Sequence, residues 1–213
     1  MTPQLVIFDC DGVLVDSEPV TNKIIAANLT AHGLPLSEHD VGSMFIGGTI
    51  KGVALEATRM GAVLPDDWVD QLYQDIFAAL GKGVPVFDGV FDLLNALNTA
   101  GIATAIASNG PMRKMEITLR PTQLWDRFAP RIYSGHDYAP KPDPALIVHA
   151  MQVAGATPDT TVFIDDSVNG CGAGLAAGVT TFGFAPEGDG AKLAEIGATP
   201  IHSMADIKAR LGL

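Results

Sequence analysis

The chain has 213 residues, 47% of them hydrophobic and 17% charged, with a formal net charge of −11 from 24 acidic and 13 basic side chains. That balance excludes a disordered chain, and it argues against nucleic acid or an anionic membrane as partner, since both demand clustered Lys and Arg. Two cysteines are too few for a disulfide framework, and neither a secretory signal nor an apolar run of bilayer length is visible, so a reduced, cytoplasmic protein is expected, with monomer as the default state.

The first element is the run Leu5-Val6-Ile7-Phe8, four apolar residues in a row that read as a fully buried strand. It leads directly into Asp9 and Asp11, a spacing that in an ideal strand puts both carboxylates on one face. Two like charges side by side are costly unless a cation sits between them, so a bound divalent ion is the natural reading. Gly12 lets the chain turn sharply just after the pair. Cys10, between the aspartates, has no histidine nearby in sequence to activate it and is expected to point into the core.

From residue 17 the pattern becomes helical. Ser17 is a candidate N-cap, followed by Glu18 and Pro19 in the first turn and an apolar stripe of Val20, Ile24 and Ile25. Gly33-Leu34-Pro35 ends that helix, and Ser37-Glu38-His39-Asp40 has the form of a capping box opening a second. Further helices are expected near 49–60 and 66–80, and Gly81-Lys82-Gly83 closes the block. Beyond Val84 the pattern alternates. Helices near 89–99, 112–120, 144–154, 168–177 and 203–211 are interleaved with strands at 102–107, 131–134, 161–164 and 179–184. Such alternation implies right-handed crossovers and an α/β fold: a Rossmann-like, mostly parallel sheet covered on both faces. Residues 1–16 and 83–213 then form the core, and 17–82 is an inserted helical domain lying as a lid over the C-terminal edge of the sheet, where ligands of open α/β sheets bind.

Four strand ends carry polar residues suited to one reaction: Asp9 and Asp11; Ser108-Asn109-Gly110-Pro111; Lys141 in Lys-Pro-Asp-Pro; and Asp165-Asp166-Ser167. Singly each is weak, because Ser-Asn-Gly is an ordinary turn and Asp-Asp-Ser an ordinary helix start. Together they occupy one topological place, just past the ends of parallel strands. In this order, and in the run Asp-x-Asp-Gly-x-Leu-x-Asp-Ser at residues 9–17, the chain resembles the haloacid dehalogenase-like hydrolases. Within them it is most similar to the phosphatases with a small helical cap, such as those acting on 6-phosphogluconate, and to β-phosphoglucomutase.

The resemblance implies a mechanism. Asp9 is the nucleophile that forms an aspartyl-phosphate, and Asp11 is the general acid and then the general base. Mg²⁺ is the implied cofactor, held by the Asp9 carboxylate, the Asp11 backbone carbonyl and Asp166, with Asp165 in or near its coordination. Ser108 and Asn109 hold phosphoryl oxygens, and Lys141 offsets the charge that spreads in the transition state. Thr49 and Lys51 of the cap reach a small phosphorylated metabolite, a sugar phosphate by the likeness. An acid two residues after the nucleophile separates phosphate-ester chemistry from the dehalogenases and phosphonatases. Mutase caps of this kind carry an arginine shortly after a Gly-x-Ser segment. The corresponding stretch Phe45-Ile46-Gly47-Gly48-Thr49-Ile50-Lys51 has Ile50 near that place, which favours a phosphatase over a phosphomutase. A noncatalytic phospho-ligand sensor on the same scaffold is the third reading. The five histidines are scattered without metal-ligand spacing, and the glycines at 172, 174 and 178 are read as close helix–sheet packing.

Overall fold

The computed structural model describes residues 3–45 and 48–213. Six strands form a single sheet in the order β3-β2-β1-β4-β5-β6, and every neighbouring pair is parallel. The strands are β1 (Leu5–Phe8), β2 (Ala103–Ser108), β3 (Ile132–Ser134), β4 (Thr161–Asp165), β5 (Thr180–Phe184) and β6 (Thr199–Ile201). The chain builds outward from β1 to β3 on one side and then from β4 to β6 on the other. The strand order therefore reverses between β1 and β4, the crevice at which such sheets bind ligands.

All four residues of β1 are fully buried, and they alternate between two cores. Val6 and Phe8 join one apolar cluster with Leu93, Met115, Phe128 and Ile207, while Leu5 and Ile7 join the other with Leu146, Ile147 and Ala173. This is the burial on both faces that a continuous apolar run in a parallel sheet requires. Cys10 lies in the first cluster, fully buried.

Between β1 and β2 run α1 (Glu18–Ala31), α2 (Glu38–Phe45), α3 (Ile50–Arg59), α4 (Trp68–Leu80) and α5 (Val90–Thr99). Helices α1–α4 share an apolar cluster of their own around Leu29, Val41, Trp68, Leu72 and Ile76. The Trp68 indole N–H also finds a partner there, donating to Asn28 Oδ1 at 2.5 Å. The start of α2 carries the expected reciprocal cap, with Asp40 in the place of the usual Glu: Asp40 N donates to Ser37 Oγ and the Asp40 carboxylate accepts from Ser37.

Helices α6 (Met112–Leu119), α7 (Leu124–Phe128), α8 (Ala145–Ala154), α9 (Val168–Ala176), α10 (Ala191–Glu195) and α11 (Met204–Leu211) complete the chain. Helix α9 approaches the sheet closely at Gly174, where a Cβ would lie 2.5 Å from Thr181 Oγ1 and 2.8 Å from Phe163 Cδ1. The other two glycines assigned to that role do something else. Gly178 turns the chain out of α9 at φ +75°, and Gly172 has only Pro142 Cβ, at 3.9 Å, near its would-be Cβ.

Candidate active site

Register places the site residues. Phe8 pairs with Ile106 on one side and Ile164 on the other, and the Asp9 N–H donates to Ile164 O at 2.8 Å. Asp9, the first residue beyond β1, is thereby level with Ala107 of β2 and Asp165 of β4. Lys141 enters this gap from the loop after β3, its side chain only 3% exposed. Its ammonium donates to Asp9 Oδ1 at 2.7 Å, to Asp165 Oδ2 at 2.6 Å and to Ala107 O at 3.1 Å. Three donors meet three acceptors, which is what a buried ammonium needs. The Asn109 side chain fixes the loop: Oδ1 accepts from Lys141 N at 2.7 Å and Nδ2 donates to Lys141 O at 3.1 Å.

Asp165 is fully committed. Its second oxygen accepts from the backbone N and the hydroxyl of Ser167, which in turn caps α9 by accepting from Gly170 N. Gly170 is required there, because a Cβ would sit 1.9 Å from Asp165 Oδ1. Carboxylate oxygens of Asp9, Asp165 and Asp166 lie within 4.8 Å of one another. Asp166 leans over Gly12, whose missing side chain leaves its room: a Cβ there would fall 2.1 Å from Asp166 Oδ2. Gly12 also holds φ +77°, where an L side chain is strained. Gly12→Ala is therefore expected to push the Asp166 carboxylate out of the trio. A divalent-ion titration by calorimetry should show affinity reduced about tenfold or more, at the scale of disturbing a ligand's support.

Asp11 departs from the simplest expectation. Strand β1 ends at Phe8, so the two aspartates do not share a strand face, and the Asp11 carboxylate is not part of the trio. It turns instead to Lys114 Nζ at 2.9 Å and to the Ser17 hydroxyl. Ser17 consequently makes no side-chain cap on α1; its proton is used on Asp11. Lys114, on the first turns of α6, was not singled out in the sequence. Its only signal was position, four residues past Gly110 at another strand end, beside an Arg113 that pairs with Glu116 on the surface.

Electrostatics follow burial. Desolvation pushes the Asp9 carboxyl up to about 7, against the pull of Lys141. Asp166 rises well above the usual carboxylate range because it is buried beside Asp165 and Glu18, and Glu18 is raised by burial and by Asp11. Burial alone would lower the Lys141 ammonium, but Asp165 and Asp9 outweigh it and hold it above its ordinary value. The acid groups thus exceed the cations present, the situation a divalent ion relieves.

A pocket of about 110 Å³ opens over these groups, and Asp9, Asp11, Asp166, Ser108, Asn109, Lys114 and Lys141 form its floor with Thr49, Ile50 and Tyr73 on the opposite wall. Ser108 Oγ accepts from Gly110 N at 3.1 Å, and Thr49 caps α3 by accepting from Gly52 N at 3.1 Å. Lys51 is exposed and is not among the residues lining the pocket. Ile46 and Gly47 lie outside the described residues.

A family model for haloacid dehalogenase-like hydrolases matches residues 3–178. The chain belongs to that family. Among curated relatives, it is 29% identical to a 6-phosphogluconate phosphatase of Escherichia coli over 85% of this chain and 82% of that one. It is 32% identical to a phosphoglycolate phosphatase of Pseudomonas putida, over 85% of this chain and 69% of the other. A solved hydrolase of the family from Deinococcus radiodurans, with phosphate and sodium bound, superposes with a TM-score of 0.79 at 34% identity, covering 99% of this chain and 96% of its own.

Proposed function

We propose that this protein is a Mg²⁺-dependent phosphatase that hydrolyses a small phosphorylated metabolite, a sugar phosphate, through an aspartyl-phosphate on Asp9. Residues 1–16 and 83–213 act as the catalytic core and 17–82 as its cap. The observation that carries the reading is the single pocket in which Asp9, Asp11, Asp166, Ser108 and Lys141 meet, although they come from four separate strand ends.

The donor set fits Mg²⁺: hard carboxylate oxygens of Asp9 and Asp166, with Asp165 behind them, in a site short of positive charge. When bound, the ion supplies charge neutralisation between the attacking carboxylate and the phosphoryl oxygens. Asp9 attacks phosphorus in line, the phosphorus–oxygen bond to the leaving group breaks, and Asp11 gives that oxygen its proton. Water then attacks phosphorus, Asp11 takes its proton, and Asp9 leaves with its electron pair. Lys114 and Ser17 fix the direction of the Asp11 carboxylate at the pocket. Ser108 and the Asn109 N–H hold phosphoryl oxygens, and Lys141 steadies the charge on Asp9 throughout.

The mutase reading is weaker because Ile50, near the place of the mutase arginine, lines the pocket and an aliphatic side chain cannot grip a second phosphate. A sensor without catalysis has no use for a nucleophile ion-paired this way. Hydrolysis of p-nitrophenyl phosphate is the test. Turnover should vanish in EDTA and return with added Mg²⁺; full activity in EDTA would contradict the metal assignment, and no turnover with Mg²⁺ would sink the phosphatase.

A further inference from the structure

We propose that His136 is a positioning residue at the rim of the pocket: its neutral imidazole holds Tyr73, and with it the start of α3, over a bound substrate, and its protonation lets that wall go. The inference rests on the phosphatase reading and adds to it a residue outside the pocket lining.

Two groups without a part in the chemistry meet at one seam between cap and core. Lys51 is exposed on α3, and His136 stands in the loop that runs from β3 to Lys141. That loop is fastened to the core. Gly135 N donates to Ser108 O at 2.8 Å, His136 N donates to Ser134 Oγ at 3.1 Å, and Ser134 Oγ donates to Gly110 O at 2.7 Å. The imidazole is thus mounted on the turn that presents Ser108 to the pocket. From the cap, the Tyr73 hydroxyl of α4 lies 3.4 Å from His136 Nε2, and the ring centroids are 6.2 Å apart, edge-on at 68°. The same hydroxyl faces the backbone of Ile50, and Tyr73 lines the pocket with Thr49 and Ile50. One phenol therefore joins α3, α4 and the core while forming part of the pocket wall.

Protonation decides what this contact is worth. Burial holds the Tyr73 hydroxyl in its protonated form, so the phenol donates and the neutral imidazole accepts at Nε2. A separation of 3.4 Å is long, and such bonds tighten when a site closes on its ligand. The imidazolium has no lone pair to offer, so the bond is lost and a second cation appears beside Lys51. The charged and titratable groups facing the ring are Lys51 from α3, Tyr73 from α4 and Asp137 from its own loop. Burial and Lys51 hold the ring below its ordinary value of 6.5, against the pull of Asp137. A histidine whose pKa is lower in the closed arrangement favours that arrangement while it is neutral. The wall is therefore held above about pH 6.5 and released as pH falls below it.

Ring-proton NMR of the full chain, with the His136 signal assigned by its loss in His136→Gln, reads the seam directly. His136 should titrate below 6.5, and Lys51→Met should move its midpoint upward. Initial rates on p-nitrophenyl phosphate with Mg²⁺, between about pH 5 and 8, read the effect on the substrate wall. The amide of His136→Gln accepts near the same place and does not titrate. Dividing the parent's KM by that of this variant therefore removes the pH effects of the catalytic groups. The ratio should stay at unity at the alkaline end and rise about threefold to tenfold at the acid end, the scale of one hydrogen bond, with the kcat ratio unmoved. His136→Phe keeps a ring without an acceptor and should show the raised KM across the whole range. A ring that titrates at or above 6.5, or a KM ratio at unity throughout, would overturn the inference and leave the phosphatase standing. No turnover in any variant would remove the phosphatase reading and this role with it.

Discussion

Asp9→Asn is expected to lower kcat on p-nitrophenyl phosphate by about 10⁴-fold or more, the scale seen when a nucleophile is removed from a unit of coupled groups. The substitution keeps the side chain's shape and removes both its charge and its ability to attack phosphorus. The fold should survive, because Lys141 retains Asp165 at 2.6 Å and Ala107 O at 3.1 Å. Burial already presses the native carboxyl towards neutrality, so the amide is electrostatically tolerable there. Initial rates on the purified variant, with a thermal melt alongside, check both halves. A rate within tenfold of the parent would remove Asp9 from the role of nucleophile.

Lys141→Met is expected to fail twice, in stability and in activity. It removes a 3% exposed ammonium held between Asp9 and Asp165 and leaves two carboxylates buried without their counter-charge. Breaking a buried pair from one side costs about 3–5 kcal/mol, which in a chain of this size lowers Tm by roughly 6–20 °C. The carboxylates can escape the penalty only by taking up protons, and a protonated Asp9 does not attack. Activity should therefore be lost even in the fraction that remains folded. Lys141→Arg should not rescue it, since a planar guanidinium cannot reproduce a compact ammonium with acceptors at 2.7, 2.6 and 3.1 Å. A thermal melt and a steady-state assay decide the matter. A variant as stable as the parent would show that the buried triad does not depend on this charge.

The parallel sheet was legible because β1, β2 and β4 are nearly all apolar or small and each ends in an abrupt polar turn. The alternation with helices gave the layers. The elements that no sequence pattern announces are short or locally atypical. Strand β6 has three residues with Pro200 at its centre, a residue tolerated because β6 is the sheet's edge. Helix α10 has five residues, and α7 has five and starts from Gln123 at φ 65°, a conformation that no local pattern announces.

The site residues at the strand ends were legible for the same topological reason, since a polar cluster just past a buried strand can only face the sheet's edge. Side-chain direction was not. That Asp11 turns to Lys114 and Ser17, away from the carboxylate trio, depends on where the turn after Phe8 begins. Nor does the run around Gly48 reveal that Thr49 and Ile50 face the pocket while Lys51 does not. The residues of a helix's first turn are fixed in direction by the cap, and the cap is set by tertiary packing.

In the proposed reaction Asp9 carries the phosphoryl group and Asp11 moves the protons. Asp11→Asn should separate the two steps on p-nitrophenyl phosphate, whose good leaving group needs little help from an acid, while attack of water on the intermediate loses its base, a contribution of about 10²–10⁴-fold. Acid-quenching this variant in turnover and mapping its peptides by mass spectrometry should find phosphate on Asp9 in a large fraction of molecules. Phosphate on any other residue, or none despite a released burst of nitrophenol, would rule out Asp9 as the phosphoryl carrier.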